Sequence, residues 1–484
     1  MALIFIPIYI KFMGIEAWGL IGIFATLQTV FGLLDMGLSS TLNREMARLS
    51  VLPHKEQEMR DLVRTLEAIY WSAAVFVGII AVSLSPVIAH HWIKAGQLSP
   101  KTVEQALLIM GFVMALQMPV GFYSGGLMGL QRQVLLNAIA IVISTLRGAG
   151  AILILWLVSP TIQAFFLWQI IISAINIFLL ALFLWRRLPR GNNKAVFQKQ
   201  LLRGIWRFTA GMSGIAVLAT ILTQLDKVIL SKMLSLEMFG YYALASMVAM
   251  SLGRLIAPAF SSIYPRFTQL VSINDQEGLK RLYHKSCQFM SVLILPAAVV
   301  IALFSYEILF LWTQNPAMAE KSHLIASILI CGSAINGLMG MPYALQLAFG
   351  WTKLSFFKTL IAVILLVPLI IYMTMRYGAI GAASVWLVLN IGMFFFEIPI
   401  MHIRLLRKEK WRWYWQDVCL PFAACILVAG VSRIVISEPM SQFMMLLYMV
   451  IVSALTVTIT AIITPVTRAW LLKRLLIIKA ACGS

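Results

Sequence analysis

Long runs of apolar residues, separated by short polar stretches, follow one another along nearly the whole chain. A helix needs roughly 17–25 such residues to cross a bilayer. The pattern therefore predicts an all-α polytopic membrane protein with about 14 transmembrane helices. The predicted spans are 1–13, 18–42, 67–92, 105–128, 134–158, 163–185, 208–231, 238–262, 288–312, 324–349, 357–375, 379–401, 418–436 and 443–466.

The first of these spans, Met1 to Met13, is too short to cross the membrane core comfortably. It carries neither the charged region nor the small-residue cleavage site of a signal peptide. We interpret it as the latter part of a first span, whose beginning lies at the interface or upstream of Met1.

Part of the sequence recurs after 221 residues. The stretch EAWGLIGIFATLQTVFGLLDMGLSS is echoed by EMFGYYALASMVAMSLGRLIAPAFSS. The aligned pairs are Glu16 with Glu237, Gly19 with Gly240, Gly32 with Gly253, Ser40 with Ser261, Gly129 with Gly350 and Arg132 with Lys353. A register kept over more than a hundred residues indicates two duplicated halves. In membrane transporters such halves usually enclose the transport pathway.

Composition supports a membrane protein and limits the chemistry. Apolar residues make up 61% of the chain, charged residues 12%, and the mean hydropathy is +0.91, whereas soluble domains are about half apolar and a quarter charged. The five cysteines have no CxxC or metal-ligand spacing, so neither a disulfide framework nor a metal site is predicted. No catalytic motif, nucleotide loop or cofactor site is present, so the chain is predicted not to be an enzyme.

The net charge of +20 reflects membrane topology. Loops on one predicted side hold 28 Lys and Arg residues, and those on the other side hold seven. By the positive-inside rule, the basic side is cytoplasmic and the carboxyl terminus lies there. The positive charge also favours anionic lipid head groups. Nucleic acid is excluded as a partner, because no soluble basic domain is present.

The longest polar connection, Arg186 to Arg207, holds seven basic residues and no acidic one. From Val196 onward its apolar residues recur at helical spacing, which predicts a helix on the inner leaflet. This segment is either a simple anchor and linker or a docking surface for anionic lipids. The predicted domains are an amino-terminal bundle at 1–185, the basic linker at 186–207, a second bundle at 208–402, and two additional helices with a tail at 403–484.

Five ionisable residues inside the predicted spans are the candidate functional residues. Arg147 and Arg254 lie well inside the fifth and eighth spans, where a charge is costly and usually faces a polar cavity. Their guanidinium groups suit phosphate or carboxylate. Asp35, Asp226 and Lys227 lie nearer span ends and are the candidates for ion coupling or gating, although Asp226 and Lys227 are also neighbours that can form a local pair. Two other acids, Glu307 and Glu397, are predicted to be interfacial.

Three segments carry a family resemblance. They are IPIYIKFMGIEAWGLIGIFATLQTVFGLLDMGLSSTLNREMA near the start, LMGLQRQVLLNAI at Leu127–Ile139, and QLDKVILSKMLSLEMFGYYALA at Gln224–Ala245. The chain resembles Wzx-type polysaccharide flippases of the multidrug/oligosaccharidyl-lipid/polysaccharide exporter superfamily over roughly residues 1–405. The resemblance implies two six-helix bundles that form a V around a cationic cavity.

The resemblance also implies a function. Such flippases move undecaprenyl-diphosphate-linked oligosaccharide, for example an O-antigen unit, across the bacterial inner membrane by alternating access. It implies lipid-linked oligosaccharide and membrane lipids as ligands, with a polysaccharide polymerase and a chain-length regulator as partner proteins. Diphosphate or acidic sugars are then the anion expected at Arg147 and Arg254.

Three alternatives to a flippase stay open at this point. A cation-coupled multidrug exporter of the same superfamily should favour acidic residues in its cavity. A polysaccharide polymerase should carry a large periplasmic loop, whereas the longest outer loop here is about residues 93–104. A membrane scaffold would not need two buried arginines.

Overall fold

The computed structural model describes residues 2–35, 37–189, 193–435, 441–465 and 467–469; the side chains of residues 2–3 and 202–216 lie outside the description. Within these ranges the fold is helical, and an isolated bridge between Lys94 and Ser235 is the sole β-type pairing. The chain divides by contacts into a first unit, 1–240, and a second unit, 241–484. The predicted division at 185, 207 and 402 stays a prediction.

The helices of the first unit follow the predicted spans closely. They are α1 (Ala2–Met13), α2 (Ile15–Phe31), a 3₁₀ turn (Gly32–Asp35), α3 (Leu38–Leu49), α4 (Glu56–His91), α5 (Pro100–Gly129), α6 (Gln133–Leu157), α7 (Ile162–Arg187) and α8 (Lys199–Met233). The next helix, α9 (Leu236–Met250), contains the boundary between the units. The apolar core of this unit packs side chains of α3 to α7 together.

The second unit is built in the same way. Its helices are α10 (Gly253–Ser272), α11 (Gln276–Leu303), α12 (Ser305–Thr313), α13 (Pro316–Leu338), α14 (Gly340–Ala348), α15 (Thr352–Leu405), α16 (Lys410–Arg412), a π-helical stretch (Trp413–Cys419), α17 (Leu420–Val435) and α18 (Gln442–Ile463). The backbone of Gly378 is not helical, at φ 59° and ψ −139°, so α15 is two helices joined at a kink. This agrees with the two spans predicted there.

Among the described residues, eleven helical stretches are long and apolar enough to cross a membrane. One of them is the kinked α15, which holds two predicted spans. The short apolar α1 and the 35-residue α8 match the two predicted spans that remain. The prediction of an all-α polytopic membrane protein with about 14 helices is confirmed.

The helix starts are encoded locally by capping residues. Ser99, Thr161, Asp275, Asn315 and Ser441 each accept a hydrogen bond from a backbone N–H of the following first turn, at 2.8–3.3 Å. At α5 and α13 the cap is followed by proline, whose fixed φ suits the first helical position. These caps satisfy N–H groups that the first turn leaves without a helical partner.

The sequence echo has a structural counterpart inside the first unit. A Cβ added to Gly19 would lie 2.6 Å from the carbonyl oxygen of Leu236, and one added to Gly240 would lie 2.5 Å from that of Ile15. Leu236 and Gly240 are the residues 221 positions after Ile15 and Gly19. The start of each copy therefore packs on the other through the same glycine, a reciprocal contact that supports duplication.

Both copies also break close to their aligned glycines, Gly32 and Gly253. The helix of the first copy ends at Phe31 and restarts at Leu38; that of the second ends at Met250 and restarts at Gly253. In the first copy, Gly37 adopts a left-handed φ of 77°, which a residue with a Cβ adopts at a cost. The predicted span 238–262 lies within the apolar stretch Leu236–Ser272, and the break in the first copy falls at Asp35 and Gly37, where the sequence allows the helix to end.

The basic linker also differs from its prediction. Residues 193–198 are not helical, and the helix begins only at Lys199. Asp61 of α4 fixes this segment by accepting hydrogen bonds from the backbone of Val196 at 2.9 Å and from the side chain of Gln198 at 2.7 Å. Of the apolar residues that indicated the interfacial helix, those at 202–206 lie outside the described side chains.

Candidate functional site

The break between α2 and α3 opens a polar cavity inside the first unit. Because the chain turns at Gly37, Asp35 ends the 3₁₀ turn and Ser39 lies in the first turn of α3, where both can face α5. The cavity has a volume of about 520 Å³. Its polar lining residues are Gln28, Asp35, Ser39, Gln117, Arg147 and Asn176. Two of the predicted functional residues, Asp35 and Arg147, thus line the same cavity.

Asp35 is held by hydroxyl groups. The side chains of Ser39 and Tyr70 both donate to its Oδ1 atom. Glycines of α5 allow this close approach: a Cβ at Gly121 would lie 3.1 Å from Ser39 Oγ, and one at Gly125 would lie 2.5 Å from the Ser39 carbonyl oxygen. The carboxylate is therefore positioned at the cavity wall by packing as well as by hydrogen bonds.

Arg147 is placed by tight packing of α6. The next residue, Gly148, packs against Phe5 of α1, and its carbonyl oxygen accepts a hydrogen bond from Tyr9 Oη at 2.9 Å. Gly150, one turn on, packs against Trp168 of α7. Small residues at these positions bring three helices together and leave the Arg147 side chain directed to the cavity.

The Arg147 guanidinium has no protein partner among the described residues. Its Nε is buried without a hydrogen bond, and it forms no ion pair, even with Asp35 in the same cavity. Burial of an unpaired cation is unfavourable and needs a compensating anion or water. An anionic ligand in the cavity would supply that partner.

A smaller recess of about 230 Å³ adjoins the same arginine. Val120, Arg147 and Asn176 line both spaces, and Ser124 lines only the smaller one. The remaining walls of the recess are mostly aliphatic side chains of α6 and α7. The Asn176 amide and the Ser124 hydroxyl form no side-chain hydrogen bond in the described part of the chain. A guanidinium, an amide and a hydroxyl therefore converge, each with free donor capacity.

Asn176 and Ser124 were missed by sequence reasoning, which considered only ionisable residues inside the spans. The available signal was an uncharged polar residue in the middle of an apolar run, as in SAINIF around Asn176. Such a residue is ambiguous from sequence, because helix–helix hydrogen bonds often satisfy it.

Arg254 belongs to the second unit. It lies in the first turn of α10, just after the break, rather than inside a continuous span. Its side chain is exposed and has no ion pair with any described residue. The structure therefore places Arg254 and Arg147 in different units.

Asp226 and Lys227 lie together on α8. Lys227 Nζ is 3.4 Å from Asp226 Oδ1 and donates to the Thr223 carbonyl oxygen at 2.9 Å. Both side chains are half-buried. The local pair that the sequence allows is present, and neither residue lines the cavity around Arg147.

Several other buried charges are fully partnered, and sequence reasoning did not find them. In the first unit, Glu67 accepts hydrogen bonds from Tyr123 at 2.7 Å and Trp185 at 3.2 Å, and pairs with Arg64. In the second unit, Glu397 is only 4% exposed and pairs with Lys358 at 2.6 Å. The fold of α15 brings Glu397 against a basic residue of the same helix, and its interfacial position stays a prediction.

A second buried cluster in that unit centres on His284. Its Nδ1 lies 2.5 Å from Asp417 and its Nε2 lies 3.0 Å from Glu409. Gln288 donates to the other carboxylate oxygen of Asp417 at 2.8 Å. The cluster joins α11 to the π-helical stretch that precedes α17. No group of His, Cys, Asp or Glu in the described ranges is arranged to hold a metal ion.

A polytopic helical fold with a polar cavity inside a helix bundle is a feature of membrane transporters. Comparison with known proteins identifies the family. The family model described as "Polysaccharide biosynthesis protein" matches residues 1–271, more than half of the chain. The chain belongs to this family.

Individual relatives agree with that assignment. A Shigella flexneri protein named "Putative O-antigen transporter" is 21% identical over 375 residues, which cover 77% of this chain and 87% of that protein. The fold is similar to that of the lipid II flippase MurJ in an inward closed conformation, with a TM-score of 0.67 at 14% identity over 95% of this chain and 96% of MurJ.

An inward-facing multidrug resistance transporter of the MATE family also has a TM-score of 0.67, at 13% identity over 82% of this chain and 93% of that one. The names of these relatives are those of transporters and flippases, not of enzymes. The predicted resemblance agrees with the family match and the Shigella flexneri relative, and the two solved structures show a shared fold. The prediction that the chain is not an enzyme agrees with the names of these relatives.

Proposed function

We propose that the chain is a flippase that moves an undecaprenyl-diphosphate-linked oligosaccharide across the bacterial inner membrane by alternating access. The observation that carries this proposal is the unpaired guanidinium of Arg147 in a cavity of about 520 Å³. A positive charge inside a span costs ~2.5–3.5 kcal/mol on insertion scales, so an unpaired one points to a ligand. Arginine binds phosphate oxygens through paired N–H donors.

The two adjoining spaces match the two ends of such a head group. The smaller recess combines the donors of Arg147, Asn176 and Ser124 with aliphatic walls. That combination fits the junction between a phosphate and an isoprenoid chain. The larger cavity is lined by amide, hydroxyl and carboxylate groups, which fit sugar hydroxyls. Arg254, exposed in the second unit, is a further candidate for contact with the anionic head.

The orientation and partners belong to the same proposal. The charge bias between loops supports a cytoplasmic carboxyl terminus. A flippase that delivers lipid-linked units outward would work beside a polysaccharide polymerase and a chain-length regulator. The family match and the name of the Shigella flexneri relative support an O-antigen or related surface polysaccharide as the product.

A cation-coupled multidrug exporter is the second candidate. The observation in its favour is Asp35, a carboxylate at the wall of the same cavity. The unpaired Arg147 argues against a cationic drug as the substrate, because like charges repel. In a flippase, Asp35 would serve ion coupling or gating instead.

Deletion of the gene separates the two candidates. For a flippase we expect single, unpolymerised lipid-linked units to accumulate on the cytoplasmic side and surface glycan to fall. For a drug exporter we expect normal surface glycan and greater sensitivity to cationic dyes. The lipid-linked glycans are measured by extraction and mass spectrometry, with the deletion strain complemented by the intact gene as the control.

A further inference from the structure

The second unit contains a row of three aromatic rings beside a polar helix face. Phe260 and Tyr264 of α10 stack at 6.0 Å with an interplanar angle of 14°. On its other side Phe260 stacks on Tyr343 of α14, at 6.1 Å and 27°. All three side chains are half-buried. We call these three residues the aromatic row.

Two rings of the aromatic row lie on a helix that carries an exposed arginine. Arg254, Ser261 and Ser262 of α10 are exposed, and α10 belongs to an apolar stretch long enough to cross the membrane. The two serine hydroxyls donate to carbonyl oxygens of their own helix, whereas the Arg254 guanidinium has no ion pair with a described residue and favours a water-filled space. The half-exposed rings are accessible to a water-soluble ligand group.

Polar groups are fixed beside the rings. Lys358 Nζ lies 5.6 Å from the centre of the Tyr343 ring and 2.6 Å from Glu397. Gln346 donates to Glu397 at 2.9 Å, and Ser355 donates to Gln346 at 3.3 Å. This network orients the lysine, whose ammonium group has N–H donors beyond the one directed at Glu397.

The tyrosine hydroxyls of the aromatic row are also available for hydrogen bonds to a ligand. Neither Tyr264 nor Tyr343 has a hydroxyl hydrogen bond to another described residue. Flat rings with hydroxyl groups at their edges, and an ammonium group over the Tyr343 ring, match a pyranose sugar, which presents C–H groups on its face and hydroxyls at its rim. A binding site with an apolar aromatic surface and a few fixed polar groups is typical of small-ligand recognition.

From this arrangement we propose that the aromatic row is a sugar-binding subsite, which stacks against pyranose rings of the oligosaccharide. The proposal rests on the proposed function, since it assigns part of the flippase substrate. It gives the second unit a role in recognising uncharged sugar rings, a role that does not depend on the phosphate-binding chemistry of Arg147.

The test uses a ligand without phosphate. The repeat unit is released from the host's own lipid-linked pool by mild acid, dephosphorylated, and added to the full-length protein in nanodiscs. Saturation-transfer-difference NMR reports contact and affinity. We expect the intact protein to bind, and Tyr343→Ala and Tyr264→Ala each to weaken binding by about tenfold, as loss of one stacked ring predicts. Tyr343→Phe should lose less, because the ring remains.

A matched control comes from another stacked pair in the same unit. Tyr306 and Phe310 of α12 stack at 6.3 Å and 7°, and they are also half-buried. Phe310→Ala should leave glycan binding unchanged. Wild-type binding by both alanine variants of the aromatic row, or no binding by the intact protein, overturns the proposal.

Arg147→Ala separates this proposal from the proposed function. It should weaken binding of the phosphate-free glycan less than Tyr343→Ala does, while failing to complement the deletion strain. If Arg147→Ala complements fully, Arg147 has no role in the proposed function. The glycan-binding measurements on the tyrosine variants then still test the aromatic row independently. If Arg147→Ala alone loses glycan binding, the sugar subsite lies in the first unit and the aromatic row is excluded.

Discussion

Two ionisable groups inside the protein differ in whether they have protein partners: His284 of the second unit and Arg147 in the cavity of the first unit. His284 has a carboxylate at each ring nitrogen, at 2.5 Å and 3.0 Å, and is almost fully buried. Arg147 lines a cavity of about 520 Å³ and has no ion pair with any residue that the structure describes. The protein supplies the partners of His284, whereas Arg147 is left to bind a ligand that enters the cavity.

This difference separates stability from function. If one member of a buried pair is removed, its partner stays buried without compensation, which is strongly destabilising. If an unpaired buried cation is removed, no protein group loses a partner, and an unfavourable charge disappears. Variants in the two regions should therefore fail in different ways, one by unfolding and the other by losing transport.

The largest effect on transport is expected for Arg147→Ala. The variant should accumulate in the membrane at the wild-type level and fail to complement the deletion strain, because the cavity has lost its cation. Arg147→Lys should recover part of the activity, since it restores the charge but not the paired donors. Lipid-linked units in the cell and protein abundance are measured together.

The exposed Arg132, in the loop before α6, provides the control. Arg132→Ala should transport normally, because its guanidinium is already solvated. Full activity of Arg147→Ala, or a loss of folded protein that accounts for the defect, would break the comparison between the two regions.

The largest effect on stability is expected for His284→Ala. This change leaves Asp417 and Glu409 facing one another without the intervening imidazole, and it should lower the free energy of unfolding by about 3–5 kcal/mol. Thermal unfolding and the folded yield in detergent measure the loss. Transport per folded molecule should be retained.

His323→Ala is the matched control for that variant, because the His323 ring is half-buried and bonds only to backbone carbonyl oxygens of its own helix. It should change stability little. A His284→Ala protein that folds normally and does not transport would place the His284 cluster in the transport mechanism. Partnered charges would then not be limited to a structural role.

A smaller and more specific effect is expected for Asp35→Asn. The amide oxygen still accepts the hydrogen bonds from Ser39 and Tyr70, so the fold should be kept while the negative charge is lost. If Asp35 couples transport to an ion, the rate in proteoliposomes should no longer respond to an imposed proton or sodium gradient. Ser39→Ala keeps the charge and should keep that response. An unchanged response in Asp35→Asn would exclude the coupling role.

The sequence alone identifies Arg147 but not the His284 cluster, for physical reasons. Arg147 stands out in the sequence because a lone charge in an apolar run is costly wherever the helix packs. The His284 cluster does not, since His284 and Asp417 are 133 residues apart and meet only when α11 packs on the π-helical stretch. The donors of Asn176 are equally hidden, because an uncharged amide inside a span carries little cost.

Interruptions of helices are the other feature that the sequence does not settle. Hydropathy is averaged over a span, so it registers an apolar run and not a turn within it. The predicted eighth span therefore places Arg254 well inside a helix. In the structure a new helix begins at Gly253, and Arg254 is exposed in its first turn. In the first copy, Gly32 begins the corresponding break and Gly37 ends it, and both glycines are sequence signals for it.

The smallest effect is expected at the local pair on α8, which lies between the two extremes. Asp226 and Lys227 are adjacent, half-buried and partnered, and they do not line the cavity of Arg147. A pair of this kind contributes up to about 1 kcal/mol, so the double variant Asp226→Asn, Lys227→Met should shift the thermal midpoint slightly and keep transport. The same complementation and unfolding measurements test it. A double variant that is stable but inactive would show that a partnered charge also serves transport here, and pairing alone would then no longer separate structural from functional charges.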